Sequence, residues 1–227
     1  MTQRARSDED KRSRHDDIID AARSVFDDVG IDEFTMDAVA ASLSLAKGTL
    51  YRYVPTREAL LLALMIDEYA TWFEHVDTAL AAASSAAGDP ADDPSALTTM
   101  MVDSLIERPR LLRLMSLVAS VLERNVPFHT AHHYKSFLVE RSSVTTDLIA
   151  HHLGCTRARS LQFLVHVQAL SIGLYHHAHP APIVTEVLVD PAFASMHVDL
   201  RGELEHGVRA LALAAMATVA DTPAATS

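Results

Sequence analysis

LSLAKGTLYRYVPTR, residues 43–57, carries Lys47, Arg52 and Arg57 and not one Asp or Glu. The chain around it has 30 acidic and 19 basic residues, a formal net charge of −11. The apolar spacing of this stretch predicts a short helix from Leu45 to Tyr53. Pro55 prevents it from continuing, because proline has no N–H to donate and biases the residue before it away from helix. Upstream, Thr35 is placed as an N-cap, Asp37 lies in the first turn near the positive end of the helix dipole, and Met36, Val39 and Ala40 form an inward face. That second helix stops near Ser42. Before it, Ile18, Ala22, Val25, Phe26 and Val29 line one face of a first helix, which Gly30 ends as a C-terminal cap.

Three helices, the last two joined by a turn of about four residues, make a helix-turn-helix whose third member suits the DNA major groove. This explains the missing acid. A carboxylate on that surface would face phosphates, so the reading helix excludes acid locally even in an acidic protein. Screening over about 8–10 Å hides the distant negative charge.

Composition sets the wider limits. A chain of 227 residues that is 49% hydrophobic can bury a sizeable core. No apolar run approaches the roughly 18–20 residues that cross a bilayer, and the N-terminus is charged, so no membrane partner is expected and the protein is read as cytoplasmic. The single cysteine, Cys155, excludes an internal disulfide framework and a Cys-rich zinc site. Apolar residues recur at three- and four-residue spacing almost throughout, which predicts an all-α fold.

TMDAVAASLSLAKGTLYRYVPTREALL, residues 35–61, resembles the N-terminal domain of the tetracycline-repressor family, most specifically in GTLYRYVPTREALL. The resemblance runs from Ile18 to Leu62; beyond it only the helical plan is shared. It implies a homodimeric, ligand-responsive transcriptional repressor of about nine helices. Residues 1–58 would form the helix-turn-helix domain and residues 59–227 a helical ligand-binding and dimerisation domain. The chain departs from the family pattern at three places: Ser44 stands where Gly is usual, Ala46 where Ser or Thr is usual, and Val54 where Phe is usual. Ala46 cannot accept the N–H bonds of a capping hydroxyl, which leaves Ser44, water or a DNA phosphate to cap the helix.

Carried over residue by residue, the resemblance gives Thr35 a phosphate or capping role. It sets Ala46, Lys47, Gly48 and Thr49 at the N-terminal end of the groove-facing helix, where Gly48 allows close approach. Tyr51 and Tyr53 match aromatics that contact phosphate and base edges, and Arg52 is a candidate for setting the operator sequence. Arg57 would hold a phosphate together with the first N–H groups of the fourth helix. Arg4, Arg6, Lys11, Arg12 and Arg14 fit a flexible minor-groove arm or, since Asp8, Glu9 and Asp10 interrupt them, a solvated tail.

The fourth helix begins at Thr56 and carries Leu60, Leu61, Leu64, Met65, Tyr69, Trp72, Phe73 and Val76, too many large apolar residues for a one-sided helix. The resemblance implies that it joins DNA head to ligand body, and that its tilt sets the spacing of two reading helices. GDPADDPS, residues 88–95, breaks it, and Asp93-Pro94 starts the next helix. Helices of about 95–107, 109–124 and 127–153 follow, the last closed by Gly154. A long helix from Arg157 to His177 and a final one from Asp199 to Ala220 are the dimer candidates. The resemblance implies that they pair with their symmetry mates in a four-helix interface, with Leu170, Gly173, Leu174, Leu204, Val208, Leu211 and Ala215 in it and Gly173, Gly207 and Ala212 permitting close approach; the alternative is that the two helices cover only their own core.

Candidate pocket residues are Trp72, Met101, Leu105, Met115, Val118, Phe128, Tyr134 and Phe137, with Met100 and Leu112 beside them. If they line a pocket, its ligand is apolar or amphipathic; each suits plain core better than ligand contact, because Met and aromatic residues at helical spacing fill cores as a matter of course. The 13 histidines include His129, His132 and His133, His151 and His152, and His176, His177 and His179. Zinc needs three or four convergent ligands and no HExxH motif occurs, so no metal and no cofactor is expected. Two alternatives stay open: a metal-responsive repressor using these histidines, and a metal-dependent helical hydrolase, which would leave the Lys47–Arg57 helix without a role. The expected partners are a double-stranded DNA operator, a small-molecule effector and a second copy of the chain, and no enzymatic activity is expected.

Overall fold

A computed structural model describes residues 3–87, 93–117 and 126–217, and of residues 3–12 and 85–87 the backbone only. Ten α-helices and no strand occur among the described residues: α1 (Gln3–Glu33), α2 (Met36–Ser42), α3 (Lys47–Tyr53), α4 (Arg57–Ala87), α5 (Ser95–Ile106), α6 (Pro109–Leu117), α7 (Phe128–Leu153), α8 (Arg157–Ala178), α9 (Pro182–Val187) and α10 (Leu200–Met216). A 3-10 turn at Pro191–Met196 separates α9 from α10. The all-α expectation holds. The short α9 and the 3-10 turn lie between the two helices expected last, and the sequence pattern does not predict them. The expected tails of the sixth and last helices, beyond Leu117 and Ala217, lie outside the described residues.

The helix ends follow from local chemistry. Gly30 breaks α1 with φ at 70°, a left-handed angle that a side chain would resist. Thr35, Thr56, Thr156 and Asp199 turn side-chain oxygens onto N–H groups three residues on, at 3.0–3.4 Å. Asp93 accepts the Ser95 N–H at 3.2 Å ahead of α5. Gly154, with φ at 58°, closes α7 by letting the Cys155 N–H reach back to the Ala150 carbonyl at 3.0 Å.

The chain divides into two compact units. The first takes the residues up to Thr71 together with 113–140; the second takes 72–112 and the residues from Arg141 onward. The division between these units falls inside α4, after Thr71.

In the first unit α1 packs on α2, which packs on α3. Ile18, Ala22, Phe26, Phe34, Val39, Leu50 and Leu60 are wholly buried, and Phe26 meets Phe34 edge-on with centroids 6.1 Å apart. Val29, read as part of the inner face, is exposed. Arg23 of α1 ties down the start of α4 by ion pairs to Asp67 at 2.5 Å and Glu68 at 3.3 Å, and also pairs with Asp20. Arg113 stacks its guanidinium 5.5 Å over the Phe26 ring.

In the second unit α10 packs on both α8 and α5. Arg201 pairs with Asp103 at 2.6 Å and Arg209 with Asp93 at 3.3 Å, so α10 runs antiparallel to α5. Asp77 of α4 receives Arg141 at 2.6 Å and the Thr145 hydroxyl from α7.

Candidate nucleic-acid interface

The turn between α2 and α3 is built from backbone. Ser44 donates its N–H to the Ala41 carbonyl at 3.0 Å and Leu45 donates to Ala40 at 2.9 Å, a pairing that needs a left-handed residue between helix end and exit. Ser44 takes that role with φ at 54°, the one non-glycine residue at positive φ among the described residues. The family's usual Gly and this Ser thus serve one geometry, with the Ser under mild strain. Buried Val39, Ala40 and Leu50 then fix how α3 lies against α2.

The N-cap of α3 is Ala46, whose side chain makes no capping bond. Ala46, Lys47, Gly48, Tyr51, Arg52 and Tyr53 are exposed, and Thr49 is half-buried. Tyr51 and Tyr53 keep 40% and 42% of their surface in solvent, a large aromatic exposure on so small a helix. A Cβ added to Gly48 would meet no atom within 4 Å, so space within the chain does not demand glycine there. Thr35 caps α2 by accepting the Ala38 N–H at 3.1 Å and is exposed.

Two residues behave otherwise than their sequence suggested. Arg57 is half-buried and donates from Nη2 to the Ile31 carbonyl at 2.5 Å, while its Nε is buried without a partner. It brackets the chain that follows Gly30, which leaves less of it to hold a phosphate. Lys47 is not in an acid-free setting: its Nζ lies 2.7 Å from Asp37 Oδ1 and 2.8 Å from Oδ2, across the turn on α2. The Asp37 hydrogen bond raises the Lys47 pKa above the ordinary lysine value, so the ammonium stays charged. Sequence reading missed the pair because ten residues separate its members; the acidic first turn of α2 was the available signal. Of the proposed arm, Arg14 pairs with Asp17 at 3.5 Å and the backbone is helical back to Gln3. The side chains of Arg4, Arg6, Lys11 and Arg12 lie outside the described residues.

A family model described as "Bacterial regulatory proteins, tetR family" matches residues 18–64, and one described as "Tetracyclin repressor-like, C-terminal domain" matches residues 66–217. The chain belongs to the tetracycline-repressor family. No curated protein matches it at a significant level. As a family member it is a transcription regulator with a helix-turn-helix DNA-binding domain, formed here by α2 and α3, followed by a helical C-terminal domain.

The C-terminal domain of this tetracycline-repressor relative sorts the remaining candidates by burial. Trp72, Met101 and Leu105 are buried in the second unit, where the Trp72 indole N–H donates to Ser104 Oγ at 2.9 Å and Ser104 donates to the Met101 carbonyl. Met115 and Tyr134 are buried in the first unit, Phe137 is half-buried there, and Phe128 is 83% exposed and lines no interior. Val118 lies outside the described residues. Leu204, Val208 and Ala215 are buried by their own chain, which removes them from a surface that a second copy could touch. Leu170, Leu174 and Leu211 are half-buried. Gly207 meets Leu170 of the same chain, where an added Cβ would come within 2.5 Å of Leu170 Cδ2, while Gly173 is exposed with nothing near. The helical period of α8 and α10 marks an apolar face that a symmetry mate or the chain's own core can cover.

No group of three or more metal-ligating side chains occurs among the described residues. His152 lies against the Leu80 carbonyl at 2.9 Å, and His179 stacks on Tyr175. Burial pushes the Cys155 thiol up, partly opposed by Arg159, which disfavours the reactive thiolate. No described helix is long and apolar enough to cross a membrane.

Proposed function

We propose that this regulator is a repressor that binds a palindromic operator as a homodimer and leaves it when a small apolar or amphipathic molecule binds the C-terminal domain. The exposed face of α3 carries the reading: Lys47, Arg52, Tyr51 and Tyr53 stand on the surface of a helix with no acid of its own, beside Gly48 and Thr35. Lys47 and Arg52 supply phosphate or base contacts, the tyrosines supply hydroxyl donors and flat apolar area, and Gly48 lets the backbone approach.

Dimerisation is supported by Leu161 and Val165 on α8 and Leu213 on α10, large apolar residues exposed on neighbouring helices. A two-fold pair of α3 helices would read half-sites about 34–36 Å apart. The test is an anisotropy titration of labelled DNA from the chain's own upstream region against a scrambled duplex, at rising salt. Tight, salt-dependent binding with an even number of subunits per site is expected, lost in Lys47→Ala/Arg52→Ala while the fold persists. Binding unchanged by that double substitution would overturn the site assignment.

A further inference from the structure

We propose that Asp37 competes with DNA phosphate for Lys47 and so holds DNA binding below what the reading helix alone would give. The inference rests on the DNA-binding reading of α3.

Lys47 is the first residue of α3 and Asp37 the second of α2, and their charged atoms meet at 2.7 Å although both side chains are mostly exposed, 57% and 63%. An exposed pair of this kind adds little to fold stability. The orientation of α3 is set instead by buried Val39, Ala40 and Leu50 and by the backbone bonds across Ser44 and Leu45. Positioning therefore does not require the pair. Its electrostatic effect remains: the carboxylate already holds the cation that a phosphate would take, and it puts negative charge on the surface that meets the duplex.

A free lysine that neutralises a phosphate releases a counterion from DNA, which steepens the fall of affinity with salt by about 0.9 in a log–log plot for each contact. Lys47 transferred from Asp37 to a phosphate leaves a bare carboxylate, which recruits a cation back from solution. Its net contribution to the slope is then close to zero. Removing the Asp37 charge restores the contribution and removes the repulsion.

The experiment compares Asp37→Asn with the parent chain on a duplex selected from random sequence by the parent, across a salt series. Asp147→Asn is the control: it makes the same one-unit charge change in another exposed pair, with Arg157 at 2.7 Å, on α7. Asp37→Asn should bind about two- to fivefold more tightly at low salt, the factor by which an exposed ion pair shifts an equilibrium, with the slope steeper by about one. Asp147→Asn should change neither. Equal gains from both substitutions would assign the effect to net charge and overturn the proposal. Weaker binding by Asp37→Asn, with its melting temperature unchanged, would make the pair a positioning device and overturn it too. A parent chain that binds no duplex in a salt-dependent way would remove the DNA reading itself, and the proposal with it.

Discussion

Ser44 holds a backbone angle that glycine would hold without strain. The left-handed angle costs a non-glycine residue about 1–2 kcal/mol, and glycine's extra freedom in the unfolded chain takes back about 0.4–1 kcal/mol. Ser44→Gly should therefore stabilise the protein by about 0.5–1 kcal/mol in urea unfolding, and Ser44→Val, whose β-branch resists this region, should destabilise it. Gly48 gives the opposite kind of test. Open space around its missing Cβ and its place in a helix mean that Gly48→Ala should raise the melting temperature slightly, by up to about 1 kcal/mol of stability. The same substitution should weaken DNA binding, because the methyl group stands where the duplex would approach. Unchanged affinity in a correctly folded variant would show that the backbone does not come close there. Both positions were legible in the sequence, Ser44 as a departure from pattern and Gly48 as a match, since each depends on local backbone. The Lys47–Asp37 contact and the inward turn of Arg57 were not, because each depends on how separate helices come together.

Whole elements were read well where their ends are set by neighbouring residues: Thr35, Thr56, Gly154 and Asp199 fall at helix boundaries for reasons visible in a few letters. Pairing of elements was read poorly. The period of α10 marks Leu204 and Val208 as an inward face, which suits a second copy or the chain's own core alike, and both are buried within the chain. Burial turns this into a prediction with two arms. Leu204→Ala should cost about 2–5 kcal/mol of stability, as a cavity in a closed core does, and the loss should appear in thermal unfolding. Val165→Glu, on the exposed side of α8, should leave the monomer fold intact and shift the proposed dimer towards monomer by light scattering. A dimer unaffected by Val165→Glu would place the interface elsewhere.

Over the whole molecule, the 30 acidic and 19 basic residues argue against nucleic acid only if charge is averaged. DNA responds to the field at the contacting face, and more distant charges are screened within about 8–10 Å at physiological salt. The proposed release by an effector carries a quantitative condition at this scale. If a compound lowers DNA affinity by some factor, DNA must lower the affinity for that compound by the same factor, and such couplings usually amount to about 5- to 150-fold. Calorimetric titration of a releasing compound into the protein with and without saturating operator should therefore return the factor by which the compound shifts DNA binding in anisotropy. The compound alone should also raise the melting temperature, since it stabilises the folded chain according to its concentration over Kd. A compound that displaces DNA while binding equally well to the free and DNA-bound protein would violate this linkage, and its action would have to lie on the DNA itself.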